Sequence, residues 1–276
     1  MRRQRGVALA IVVWFLAGMS LLVAGIVASA RVDTKTTQIY LARAKAVAAG
    51  DGAITLAMVE RRTGVQASGQ GPLVSESRQR LGDAEVLVRI IPAAGFVDVN
   101  SAAPEVLQAL FQFGAGLEPA EAQRVAVNVV KWRSGKPAGS GSGRSRGEQG
   151  RFYSLEDMLR VEGVNRTLLD GIRDYAVAGS WTSGTMDWSA SPQAMMDLLA
   201  ELNPGQAGAI AKRRDSMSAA GSGSRLRGGG VYRADALVSY GGRTWLRRRW
   251  LKMESAKGST LPWKTMRTEA PRVVGR

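Results

Sequence analysis

The chain has 276 residues, 45% of them of hydrophobic type, enough for one large or two small domains with a packed core. It contains neither cysteine nor histidine, which excludes a disulfide framework and thiolate chemistry and removes the commonest zinc ligand and general base. Lys and Arg number 38 against 23 Asp and Glu, a formal net charge of +15.

Arg2, Arg3 and Arg5 precede an uncharged run from Val7 to Ala30, VALAIVVWFLAGMSLLVAGIVASA. As a helix these 24 residues span about 36 Å, against a bilayer hydrocarbon core of about 30 Å. Three readings compete: a buried core helix, a secretory signal cleaved after ASA, or a retained anchor. A core helix would have to be buried on every side in a modest protein. A signal core is usually shorter, and helical patterning continues straight past this run. The retained anchor is therefore the expectation, single-pass, with the leading arginines favouring a cytoplasmic N-terminus and Arg31 and Lys35 weakening that bias. Val32, Ile39, Val47, Ile54 and Met58 follow at near-heptad spacing, with Asp33, Lys35, Arg43 and Lys45 left to face water. The pattern predicts one helix from Val7 to Arg62, half in lipid and half a stalk, ended by Gly64 and QASGQGP.

DAEVLVRII at 83–91 predicts a strand, Pro92 to Gly95 a turn, and Phe96 to Val99 a short second strand. Val231–Tyr240 and Arg243–Met253 predict two more, joined by Gly241-Gly242, the pair that supplies positive φ to a tight hairpin. Trp245, Arg247 and Arg249 alternate with Leu246, Arg248 and Trp250, so the last strand is expected to be short or half exposed. Strands near 83–99 and 231–253 are expected in one antiparallel sheet packed on the stalk helix. The roughly 130 residues between them are too many for a plain loop and read as an inserted helical domain.

The insert carries an internal repeat. NSAAPEVLQAL at 100–110 aligns without a gap on WSASPQAMMDL at 188–198, and LEPAEAQ at 117–123 resembles LNPGQAG at 202–208. Each copy predicts a proline-started helix, a turn and a second helix opening again at proline. Trp188 stands where Asn100 stands, which leaves the second turn's geometry open. Between the copies, Ser154 and Asp157 predict a capping box, and Val161-Glu162-Gly163-Val164 a hairpin into a further helix. The stretches SGKPAGSGSGRSRGEQG at 134–150 and SAAGSGSRLRGGG at 218–230 read as loops.

The leader MRRQRG before VALAIVVW resembles a prepilin-type signal. RAKAVAAGDGA at 43–53, FVDVNSAAPEVLQAL at 96–110 and SLEDMLRVEGV at 154–164 are similar to segments of the K-type minor pseudopilin of the type II (general) secretion system. The resemblance covers about residues 1–250. It implies cleavage between Gly6 and Val7 by a prepilin peptidase and N-methylation of Val7. Ile11 stands at the fifth mature position, where most pilins carry a glutamate and the K type typically lacks it. It further implies an α+β pseudopilin fold: a long N-terminal transmembrane and stalk helix, a small antiparallel sheet, and a large inserted helical domain, helix-hairpin-helix or SAM-like. The implied division is leader 1–6, membrane part 7–30, periplasmic stalk 31–62, scaffold 63–99 and 231–253, insert 100–230 and basic tail 254–276. Leu9, Ile11, Val12, Phe15, Leu16, Leu21 and Leu22, with Val7, would supply filament-core contacts. The implied partners are the I-type and J-type minor pseudopilins, the major pseudopilin filament, the prepilin peptidase and the inner-membrane assembly platform, in the inner membrane of Gram-negative bacteria. Related K-type proteins can bind calcium through acidic side chains of the helical domain; no dense carboxylate loop here matches, so no cofactor and no metal ligand is assigned.

The alternative is a pilin-like component of a type IV pilus or DNA-uptake system that binds nucleic acid. It rests on LRVEGV, which resembles a helix-hairpin-helix element, and on 13 Lys or Arg against three acids from Arg225 to Arg276, with Trp245, Trp250 and Trp263 interleaved. Glu156, Asp157, Glu162, Asp170 and Asp174 around the hairpin weigh against it. No catalytic motif is found, no small-molecule substrate is implied, and no enzyme is expected. Asp33 and Asp51 are expected on the stalk surface, and Glu118, Glu121, Glu156 and Asp157 at helix starts.

Overall fold

The computed structural model describes residues 5–63, 74–135, 150–179, 186–219 and 229–274. The first element, α1, is a single helix over Arg5–Thr63. No proline interrupts it, and its composition is dominated by alanine, valine and leucine. The expected stop at Gly64 and QASGQGP, and the greater part of both Gly/Ser stretches, lie outside the described residues.

The strands β1 (Ser75–Leu81) and β2 (Ala84–Pro92) form a hairpin. After a 3-10 turn at Ala93–Gly95, β3 (Val97–Asp98) leads into the insert. The insert comprises α2 (Pro104–Ala115), α3 (Pro119–Arg133), a 3-10 helix at Leu155–Arg160, α4 (Arg166–Ile172) and β4 (Ala176–Val177). A 3-10 turn at Trp188–Ala190, α5 (Gln193–Leu202) and α6 (Pro204–Ala219) complete it. The chain returns as β5 (Val231–Tyr240) and β6 (Arg243–Lys252), then β7 (Lys264–Thr268) and β8 (Arg272–Val273).

The main sheet is antiparallel in the order β1-β2-β5-β6-β7, with β8 also on β6. Its inner face lies on the second half of α1. Ala46, Ala53, Ile54, Ala57 and Met58 of the helix pack against Val86, Val88, Ile90, Ala234, Ala236, Val238, Trp245 and Leu251. Small residues on both sides draw the backbones together. A Cβ on Gly50 would stand 2.9 Å from Cβ of Arg247, so only glycine fits this crossing. The predicted stripe meets this face at Ile54 and Met58, but Val32 is exposed, because the sheet reaches α1 only from Ala42 onward. The β5–β6 hairpin turns as expected, with φ of 61° at Gly241 and 71° at Gly242.

Two expectations are corrected. Residues 97–98 do not join the main sheet; β3 pairs in parallel with β4, inside the insert. The strand β6 is neither short nor half exposed. It is ten residues long, and both of its faces are covered, by α1 on one side and by the insert with the returning C-terminal chain on the other.

The insert has its own core. Leu107, Leu110 and Phe111 of α2, Val125 and Val129 of α3, Phe152, Met158, Leu168, Ile172 and Met195 enclose it. The repeat is structural: the aligned pairs Leu107/Met195, Leu110/Leu198 and Ala122/Ala207 are all buried. In the first copy Asn100 clamps Phe152, donating to its carbonyl at 3.0 Å and accepting from its amide at 2.8 Å. Trp188 cannot do this and packs between α5 and the main insert core instead. The turn is kept one residue later in the aligned register, where the Asp187 carboxylate accepts from the Ser189 amide as Asp98 does from Asn100.

Candidate assembly helix and the charged junction beneath the insert

The apolar half of α1 stands clear of the rest of the molecule. Leu9, Ile11, Val12, Phe15, Leu16, Leu21 and Leu22 are each more than half exposed, as is Trp14. Among the described residues α1 is the one helix long and apolar enough to cross a membrane, and its most apolar stretch has no buried residue. Gly6 and Val7 lie in the first turns of the same helix. A helix apolar all round and uncovered has to be covered by lipid or by other helices.

The sheet is oriented with respect to this segment. Its two hairpin ends, at Gly82-Asp83 and Gly241-Gly242, point back toward the apolar half. Lys45 donates to Tyr240 Oη at 2.8 Å and pairs with Asp83 at 3.4 Å, and a Cβ on Gly241 would touch Ala42. The insert leaves and rejoins the sheet at its other end, after Pro92 and before Val231. It is therefore attached at the end of the sheet remote from the apolar segment, and from there it extends over the outer face of β6.

Asp51 is not a free stalk-surface residue. Its carboxylate accepts from Arg247 Nε at 2.8 Å and Nη2 at 3.1 Å, and it pairs with Arg249 at 2.6 Å. These arginines alternate on the inner face of β6 and were legible as a charge run, not as partners for a helix acid 196 residues away.

The outer face of β6 meets the insert through a second cluster. Arg248 donates to Asp235 from Nε at 2.6 Å and from Nη2 at 3.1 Å, and from Nη1 to Asp174 at 2.6 Å. Arg272 of β8 reaches the same Asp174 at 2.6 and 2.8 Å. Arg233 of β5 pairs with Asp235 at 3.0 Å and donates to the Asp174 carbonyl at 2.7 Å. Its guanidinium lies 4.0 Å from the Phe96 ring centroid. Glu269 accepts from Trp250 Nε1 at 3.2 Å and stands 3.7 Å from Arg248. Three arginines from three strands thus converge on one aspartate of the insert.

Burial pushes the Arg233 guanidinium down to about 10, with Asp235 offsetting part of the effect. Burial acts on Arg248 in the same sense, but Asp235, Asp174 and Glu269 outweigh it and hold Arg248 more firmly protonated than usual. Burial alone would raise Asp174; the charges of Arg248, Arg272 and Arg233 override it and keep its carboxyl below the ordinary range.

At the hairpin, the Asp157 carboxylate accepts from the Tyr153 and Ser154 amides at 2.9 Å, completing the predicted capping box, although the helix it starts is 3-10. Glu156 pairs with Arg267 of β7 at 3.4 Å. Glu118 stands at the N-cap of α3 and Glu121 in its first turn. Among the described residues no group of three or more Asp and Glu could hold a metal ion. Of the 13 basic residues from Arg225 to Arg276, Arg233, Arg247, Arg248, Arg249, Lys252, Lys264, Arg267 and Arg272 are ion-paired within the chain. The charge that suggested phosphate binding is largely engaged internally.

No family model matches the chain, and no curated protein does. Among solved structures, it is similar to a chain of the GspK–GspI–GspJ complex from the type 2 secretion system of enterotoxigenic Escherichia coli. The identity is 11%, the TM-score 0.43, and the likeness covers 88% of this chain and 100% of that one.

Proposed function

We propose that the chain is a minor pseudopilin of the K type, a structural subunit at the tip of the type II secretion pseudopilus. The observation that carries this reading is one helix used twice. Its first half is uncharged and uncovered, while its second half is the backbone on which the sheet is built. In this reading the prepilin peptidase cuts between Gly6 and Val7, Val7 is methylated, and residues 7–30 rest in the inner membrane with the bulk in the periplasm. On assembly the helix leaves the bilayer and its apolar side chains, Leu9, Ile11, Val12, Phe15, Leu16, Leu21 and Leu22, pack against helices of I-type and J-type partners and then of the major pseudopilin. Ile11 suits a subunit with nothing stacked above it, because it carries no charge to be neutralised at that depth.

The position of the insert supports a terminal place. A body of this width, at the sheet end remote from the apolar helix, hinders a further subunit from stacking there. The filament so started is the element that drives folded proteins through the outer-membrane channel.

Intact mass of the membrane-extracted protein, coexpressed with and without a prepilin peptidase, tests the reading. Peptidase-dependent loss of residues 1–6 with a methyl group on Val7 is expected. An intact N-terminus, or cleavage near Ala30, refutes it. The tip role is tested separately by copurification with the I-type and J-type subunits, and fails if neither is retained.

A further inference from the structure

With most C-terminal arginines paired internally, the exposed cations available to an anionic surface lie mainly elsewhere in the chain. On the globular side of the apolar segment, the exposed cations nearest to it are Arg31, Lys35 and Arg43 on α1, with Arg243 at the β5–β6 hairpin end. All four are exposed, and none forms an ion pair among the described residues. The acids at this level are Asp33 on α1 and Asp83 on the β1–β2 hairpin, and Asp83 is engaged by Lys45. From Arg31 to Leu41 the helix is bare, since the sheet first touches it at Ala42.

Helical rise sorts these cations by height. Arg31 follows the last residue of the apolar run directly, and Lys35 is about 6 Å further along the axis. The headgroup layer on one side of a bilayer is roughly 5–7 Å deep, so long side chains from both positions end within it. Arg43 and Arg243 stand about 18–20 Å out, beyond a Debye length of about 8–10 Å, and contribute little.

Resting on the membrane-anchored reading above, we infer that Arg31 and Lys35 form a binding collar for anionic phospholipid headgroups in the leaflet on the globular side. Their phosphates accept from the guanidinium and the ammonium while the subunit waits in the bilayer. Asp33 lies between the two in sequence but about 160° away from Lys35 around the helix, so it does not neutralise both.

The test uses the full chain reconstituted into nanodiscs of mixed phosphatidylglycerol and phosphatidylcholine, with the lipids retained by the protein measured by mass spectrometry. Phosphatidylglycerol is expected to be enriched at low salt, by roughly fivefold per cation at the surface, and the enrichment to fall as salt is raised. The double variant Arg31→Gln/Lys35→Gln should lower it, leaving only the share that Arg2, Arg3 and Arg5 contribute in the other leaflet, and Arg31→Lys/Lys35→Arg should keep it. Lys212→Gln/Arg213→Gln removes the same charge from exposed positions on α6 of the insert and should leave it unchanged. Enrichment unchanged from the parent chain in the collar variant, or equal loss in both double variants, overturns the proposal. Failure of the parent chain to incorporate into the discs would instead sink the anchored reading itself.

Discussion

Asp235 offers a sharp test of the charged junction. Its side chain is 9% exposed and holds two guanidiniums, Arg248 at 3% and Arg233 at 5% exposure. Asp235→Asn keeps the shape but removes the charge and turns an NH2 toward groups that can only donate. Breaking a buried pair from one side costs about 3–5 kcal/mol, because the partner is left charged and dry. Here Arg248 keeps Asp174, and Arg233 keeps the Asp174 carbonyl and the Phe96 ring. The low end of that range, about 3 kcal/mol, is therefore expected. For a chain of this size it lowers Tm by roughly 6–12 °C. Trp245 and Trp250 flank the site, so the change in near-UV circular dichroism on unfolding reports the sheet. Arg272→Ala at the same cluster should cost less than about 1 kcal/mol, since both partners are more than a third exposed, at 37% and 41%. A loss under about 0.5 kcal/mol for Asp235→Asn, or equal losses for the two variants, would show that the cluster is wet and that its burial does not set the energetics.

Three further outcomes follow from the same geometry. Gly50→Ala should destabilise by about 1–3 kcal/mol despite the helix propensity gained, because the new methyl meets Arg247 Cβ at 2.9 Å; Gly52→Ala, facing only the end of Leu81 at 3.4 Å, should stabilise by up to about 1 kcal/mol, both read by thermal unfolding. Asn100→Ala strips the partners from the Phe152 amide and carbonyl and should cost about 1–3 kcal/mol, with loss of hydrogen-exchange protection at that amide. Asp174 is held below the ordinary carboxylate range, so its stabilisation is present above its unfolded value near pH 4 and is lost as pH falls through the lower folded value. Acid titration of unfolding should show that component, and Asp174→Asn should remove it.

The helix α1 and the hairpin of β5 and β6 were legible because period and turn chemistry are local signals. Residues 7–30 carry no charge, and Gly241-Gly242 lies between two runs rich in strand formers. The strand β1 was not, since SESRQRL is a polar edge strand recruited by its neighbour β2 rather than by its own propensity. The strand β3 was legible as a strand but not as a partner of β4, because a two-residue parallel pairing leaves no period to read. The strand β6 misled for a physical reason. Alternation predicts one buried face, yet here each face holds apolar and charged residues together, and acids distant in sequence neutralise both. The segment read as a basic tail contributes β7 and β8 for the same reason, with Arg267 and Arg272 meeting Glu156 and Asp174.

Those acids belong to different layers, and that explains why β6 is so rich in arginine. Asp51 sits on α1, Asp235 on the neighbouring strand and Asp174 in the insert. Arg247 joins the first to the C-terminal chain by donating to the Glu269 carbonyl at 2.9 Å, and Arg248 joins the second to the third. Apolar contact is non-directional, so a helix and an insert held on opposite faces of a thin sheet by hydrophobic packing alone could rotate over it at little cost. Bidentate arginine–carboxylate bonds have a fixed plane and resist that rotation. On the proposed reading, a subunit held by its helix and carrying its insert across the sheet needs the angle between the two to be kept. One strand with arginines on both faces keeps it from both sides.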